Sequence, residues 1–281
     1  MMRMEGEKRM KNLFYRLLIY LDSANESDTN YNIAWYMAHH LPEVANMGIS
    51  KLARECFVSP ATISRFCRAL GYENYAHLKQ ECAYYSSSRK KFNNLIDVPL
   101  DMMKNDPQRC SEYYTLQVSE GVKQLSQYLD WDVIDTVLKK IHDSDNVAFF
   151  GIHFSQSAAL HFQTDLLMLG KFTTAYMESE RLMECAKRLD EDSLAIVISV
   201  SGNLLTSNQK TLTYIKKSNA QVVFITNNPE LDLGIPVDYK IIIGTKDNLR
   251  IGKHNLLTTM ELMALRYYSM YYIKDRNGEK E

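Results

Sequence analysis

Between Ser59 and Gly71 the apolar residues Ile63, Phe66, Cys67 and Leu70 fall at i, i+3, i+4 and i+7, a spacing that a short helix buries on one side. Both ends of that helix are marked. Ser59 is an N-cap residue, Pro60 stands at the first helical position where a missing N–H costs nothing, and Gly71 closes the element. Just upstream, residues 50–56 place Leu52, Ala53 and Cys56 on one face and Lys51, Arg54 and Glu55 on the other. Only Phe57 and Val58 separate the two helices, so residues 50–72 read as a helical pair with a tight turn. The outward face of the second helix is Ala61, Ser64, Arg65 and Arg68, flanked by Thr62. Small residues near a helix N-terminus admit base edges, and arginine bonds guanine O6 and N7 or a phosphate oxygen. Lys51, Ser59, Pro60, Ala61, Thr62, Ser64, Arg65 and Arg68 are therefore the candidate DNA contacts. A lone helical hairpin is more often just a solvated charged face; here cap, proline, short turn and outward arginines agree on a DNA-reading pair.

Residues 12–20 and 32–40 are also helical in pattern and would complete a small helical domain around Leu13, Leu17, Ile33, Trp35 or Tyr36, and Met37. Trp35 and the His39-His40 pair have no acidic or cysteine partner at ligand spacing, which favours packing over metal binding. At 281 residues, 46% of them hydrophobic, the chain has material for two domains. Its net charge of −1 argues against a non-specific nucleic-acid coat, although a local basic face suffices for specific binding. The five cysteines are odd in number and form no C-x-x-C pair, the pattern of reduced thiols in a cytosolic protein without a zinc site. The opening MMRMEGEKRMKN is charged and lacks the apolar core of a signal peptide, and no window is long and apolar enough to span a bilayer. A cytoplasmic location without membrane association is the expectation.

Composition shifts at residues 86–94 (SSSRKKFNN), and residues 101–110 around Pro107 look like a second loop. The expected division is a helix-turn-helix domain over residues 1–85, a linker over 86–110 and a second domain over 111–281. A long helical pattern runs over residues 115–142. Short β-rich runs then appear at 146–150, 172–176, 194–199, 221–226 and 239–243, separated by helical stretches. Such alternation predicts a doubly wound, mostly parallel sheet, so the fold class is α + α/β. Ligands of such sheets lie beyond the carboxyl ends of the strands, where helix N-termini gather. Ser199, Ser201, Gly202 and Asn203 follow a buried strand and open a helix, which offers hydroxyls and amides to an anion. Gly151, His153 and Ser155 occupy the corresponding turn after the strand ending at Phe150. Thr226, Asn227 and Asn228 end the next strand on the same rim. The last helical stretch, residues 255–273, carries so wide an apolar belt that burial against a partner subunit is expected as well, giving a homodimer or homotetramer.

The run VSPATISRFCRALGYENYAHLK, residues 58–79, resembles the helix-turn-helix segment of RpiR-type (MurR-like) bacterial transcriptional regulators, in which a sugar isomerase (SIS) domain follows. The resemblance implies a regulator that binds double-stranded operator DNA as a dimer and senses a phosphosugar, with no cofactor and no catalysis. It extends to the second half. Ser199, Ser201 and Gly202 match the S-x-S-G-x-T phrase whose hydroxyls bind a sugar phosphate in SIS domains, with Leu204 in place of the threonine. Gly151 and Ser155 match a G-x-G-x-S turn, with His153 at the second glycine, where a bulky ring crowds the ligand path or donates to an anion. Two rivals stand beside this reading. A phosphosugar isomerase needs a base and an acid, for which Glu178, Glu180, His153 and His254 are candidates. A SIS domain serving only dimerisation would tolerate the changes at His153 and Leu204.

Overall fold

The computed structural model describes residues 13–86, 100–200, 202, 204, 208–246 and 251–273. The chain divides into two compact units, Met1–Asp97 and Val98–Glu281.

Among the described residues, six helices build the first unit: α1 (Leu13–Ser23), α2 (Thr29–His39), α3 (Leu41–Val44), α4 (Ile49–Glu55), α5 (Pro60–Ala69) and α6 (Tyr75–Ser86). Its core gathers Leu13, Leu17, Ile33, Met37, Leu52, Ile63, Phe66 and Leu78, each almost fully buried. Trp35 is not among them; it stays 52% exposed, while Tyr36 packs at the core's edge. Helix α5 begins as its sequence demands, with Ser59 Oγ accepting from the Thr62 amide at 3.1 Å and Pro60 in the first turn. It ends in a Schellman motif: the Gly71 amide donates to Arg68 and the Tyr72 amide to Cys67, with Gly71 at φ 80°. Helix α4 ends the same way, through Phe57 N–H to Arg54 and Val58 N–H to Ala53, but here a phenylalanine holds the left-handed position at φ 56°. That conformation costs a residue with a Cβ about 1–2 kcal/mol.

In the second unit, α7 (Leu100–Asn105) and the first turn of α8 (Pro107–Leu125) occupy residues expected to be loop and linker. Pro107 starts a helix instead of breaking one, because Asp106 caps it by accepting from the Arg109 amide at 3.1 Å. The single helix expected over residues 115–142 is two, since Asp130 caps a fresh start and accepts from the Asp132 and Val133 amides. That start opens α9 (Trp131–Asp143).

There follow β1 (Val147–Phe150), α10 (Phe154–Met168), α11 (Ser179–Lys187), β2 (Leu194–Ile198), α12 (Gln209–Ser218), β3 (Gln221–Thr226), β4 (Tyr239–Ile242) and α13 (Gly252–Tyr271). The strands form one parallel sheet in the order β1-β2-β3-β4. The strand expected at 172–176 is reduced to a single parallel bridge between Thr174 and Ala148, on the free edge of β1. Alternation along the strands feeds two cores. Phe149, Ile196, Ile198, Val223 and Ile225 face α9, α10 and α13. Phe150, Val197, Val222 and Phe224 face α11 and α12. Both faces are thus covered, as a parallel sheet requires. From β1 the chain passes outward to the Thr174 bridge and then returns to β2 on the other side, so the order of travel reverses between β1 and β2. A crevice opens at such a reversal, beyond the carboxyl ends of the two strands.

Candidate functional site

The first unit presents α5 with one face sealed and the other open. Ile63, Phe66, Cys67 and Leu70 are buried to 4% exposure or less. Lys51, on α4, and Ser59, Pro60, Ala61, Arg65 and Arg68 are exposed, and Thr62 and Ser64 half-exposed. Thr62 Oγ1 sits 3.0 Å from Ser59 Oγ and accepts from Arg65 Nη2 at 3.3 Å, while Ser64 Oγ donates to the Pro60 carbonyl. Arg65 is thereby drawn toward the helix N-terminus, where a recognition helix meets base edges. Burial pushes the Cys67 thiol up to about 11, and Cys56 likewise, which keeps both thiols protonated and inert.

In the second unit the crevice loops begin at once after the strands. Phe150 pairs with Val197 and β2 ends at Ile198, so the loops that begin at Gly151 and Ser199 leave the sheet within one residue of each other in register. Gly151 is fixed by close approach: a Cβ there would meet the Gln156 amide nitrogen at 3.0 Å. Its own N–H donates to Gln156 Oε1 at 2.6 Å, so that amide is spent on the loop. His153 stands at φ 51°, ψ −123°, a backbone region that glycine enters freely and other residues at a cost of about 1–3 kcal/mol. The turn therefore follows a glycine path although it carries an imidazole. Ser155, 8% exposed, lies in the first turn of α10, where the helix dipole favours an anion, although its own N–H donates to the Ile152 carbonyl at 3.1 Å.

On the neighbouring loop Ser199 is 3% exposed and its Oγ accepts from the Leu204 amide at 3.3 Å. Gly202 has φ 86°, the geometry that lets this loop turn tightly. Ser201 and Asn203 lie outside the described residues. Leu204 is 2% exposed and packs with Phe224, Leu212 and Leu233, so the position that resembles a threonine hydroxyl is a core position here.

Reading along the sequence does not bring Gly252 and Lys253 to this place; packing does. A Cβ on Gly252 would come within 2.5 Å of Val200 Cγ1 and 2.8 Å of Asn227 Nδ2. The first turn of α13 therefore seats against the loops after β2 and β3. Lys253 Nζ lies 5.7 Å from the Phe154 ring centroid, at the start of α10, and brings a cation to the rim. Of the isomerase candidates, Glu178 pairs with Arg181 at 3.9 Å, Glu180 is exposed, His254 Nε2 lies 3.2 Å from the Tyr114 hydroxyl, and His153 stands in the turn after β1. Among the described residues no helix is long and apolar enough to cross a membrane, and no cluster of metal-ligating side chains occurs.

Comparison with known proteins matches residues 15–89 to the helix-turn-helix domain of the rpiR family and residues 140–266 to the SIS domain. An HTH-type transcriptional regulator of Clostridium perfringens is 23% identical over 73% of this chain and 73% of its own. The HTH-type transcriptional regulator HexR of Pseudomonas aeruginosa is 25% identical over 69% of this chain and 66% of its own. Among solved structures, the Vibrio vulnificus NanR protein complexed with ManNAc-6P superposes with a TM-score of 0.51 at 16% identity, covering 92% of this chain and 93% of that one. A ligand-bound protein of E. coli gives 0.52 at 18% identity over 60% of this chain and 93% of its own. These two likenesses are likenesses of fold.

Proposed function

The chain belongs to the rpiR family of helix-turn-helix proteins that carry a SIS domain, and on that footing we propose that it is a cytoplasmic DNA-binding transcriptional regulator of carbohydrate genes gated by a phosphosugar. The observation that carries the reading is α5: a helix capped at both ends, sealed on its apolar face and open on the face bearing Arg65 and Arg68. Lys51, Ser59, Pro60, Ala61, Thr62, Ser64, Arg65 and Arg68 meet the operator. The effector phosphate sits at the β1/β2 crevice, against Ser199, Ser201, the amides around Gly202 and Asn203, with Ser155 and Lys253 at its side. His153 narrows the sugar path, and Gly151 shapes the turn. No turnover is required of such a site, since a sensor needs only different affinities for its two states.

The two-fold of a regulator comes from the second unit. Leu167, Phe172 and Leu265 are each more than half exposed, and Tyr268 nearly so, around helices α10 and α13 that pack on each other. This apolar face is the proposed homodimer contact, and light scattering at micromolar concentration is expected to give at least twice the 32.6 kDa chain mass. Effector binding favours one arrangement of the dimer and so one spacing of the two recognition helices; half-sites about 34–36 Å apart are read by that arrangement best.

Selection of duplexes from a random library by the full-length protein tests the DNA reading. A two-fold repeated motif is the expected product, and recovery of no motif would remove the regulator assignment. On the selected duplex, Arg65→Ala is expected to weaken binding by about 1–3 kcal/mol and to relax preference at one position of each half-site. An unchanged preference would take Arg65 out of the readout.

A further inference from the structure

Five consecutive residues at the start of α13 tie α8 and α10 to the loops after β2, β3 and β4. Ile251 packs on α8 so closely that a Cβ on Gly121 would come within 2.6 Å of its side chain. Gly252 is seated as tightly on the crevice side, against Val200 and Asn227. Lys253 lies by the Phe154 ring at the start of α10, His254 Nε2 is hydrogen-bonded to the Tyr114 hydroxyl of α8 at 3.2 Å, and the buried Asn255 donates from Nδ2 to the Ile243 carbonyl at 2.7 Å, just past β4. A methyl group has no room on either side of this turn, and contacts packed so closely shift together instead of deforming. Helix α8 itself is lightly held. Between residues 111 and 120 every side chain but Val118 is exposed, and beyond α7 the element on which α8 mainly packs is α13.

We propose that the first turn of α13 carries effector occupancy from the crevice to α8, and that the Tyr114–His254 hydrogen bond is a clasp of the effector-free arrangement that opens when phosphate binds. The inference rests on the phosphosugar-gated reading above. Val200 stands between Ser199 and Ser201, so a loop that closes on phosphate displaces it. The turn has no slack against Val200 and shifts with it, taking Ile251 and His254 along on the α8 side. The bond to Tyr114, a side chain 43% exposed, is the tie that yields, because water replaces a neutral hydrogen bond at small net cost. Along the chain α7 and α8 lie between the first unit and the sheet, so a shift of α8 is passed on toward the DNA-binding unit by the chain itself. A clasp made only in the free arrangement opposes the effector; removing it favours the bound arrangement and, by linkage, raises affinity at the crevice.

Inorganic phosphate, the group common to the proposed effectors, is the probe. Its affinity for the full-length protein is read by isothermal titration, and its effect on operator affinity by anisotropy on the selected duplex, with ionic strength held constant by chloride. Tyr114→Phe is expected to bind phosphate about two- to tenfold more tightly than the parent, the worth of one neutral hydrogen bond. Without phosphate, its operator affinity should move in the direction in which phosphate moves the parent's. His254→Ala should do the same, and the double variant no more than either alone, as two ends of one contact must. Loss of a merely structural bond leaves phosphate affinity flat or lowers it, so either result in these variants, with a parent that still responds to phosphate, overturns the inference alone. A parent that binds no phosphate, or whose operator affinity phosphate leaves unchanged, overturns the gated reading together with it.

Discussion

Phe66→Ala is expected to destabilise the first unit by about 3–5 kcal/mol. Phe66 is fully buried at the centre of that unit and meets Tyr20 edge to face at 5.8 Å between centroids. Removing the ring leaves a cavity under α5, in the core that also holds Ile63, Cys67, Leu13 and Leu17. Small domains are stable by only about 5–15 kcal/mol, so a loss of this size takes much of the margin. The two cores of the second unit share no residue with this one. Calorimetry should therefore show an early transition for the helical unit while the sheet unit keeps its midpoint. Operator binding falls and phosphosugar binding stays. A single transition displaced as a whole would mean that the two units do not fold independently.

Gly252→Ala is expected to act on the other site. The new methyl would meet Val200 and Asn227 side chains at distances no Cβ adopts, so either the first turn of α13 or the loop after β2 must move. Overpacking of this kind costs about 1–3 kcal/mol. Because Val200 lies between Ser199 and Ser201, the displacement falls on the proposed phosphate contacts, and effector affinity should drop at least tenfold with operator binding retained. Isothermal titration of the variant with the effector reads this directly. Unchanged affinity would place the effector away from the α13 side of the crevice.

What the sequence made legible was local. Ser59, Pro60 and Gly71 announce α5 because capping and left-handed closure depend on residues a few positions apart. The alternating runs announce the parallel sheet for the same reason, since each strand faces two cores. Pro107 misled: a proline inside a charged, polar stretch looks like a break, and only the Asp106 cap makes it a beginning. The same oversight at Asp130 joined two helices into one. The 172–176 run has strand composition but pairs through one residue, because pairing is decided by the neighbour available at the sheet edge and not by propensity. Lys253 and Gly252 reach the crevice from about 50 residues beyond Val200, a proximity that no local pattern carries. Leu204 carries its own lesson: a motif position can be matched in register and still point into the core.

The central claim is that one chain joins DNA reading to phosphosugar sensing. Fluorescence anisotropy of the full-length protein on DNA from upstream of its own gene, against unrelated DNA at fixed salt and with a panel of sugar phosphates, tests it most directly. The account predicts preference for the upstream DNA and a shift in that affinity with one class of sugar phosphate. Upstream preference that no sugar phosphate alters would contradict the sensing half and leave the SIS domain as a dimerisation platform. No preference, together with turnover of a sugar phosphate, would contradict the account as a whole.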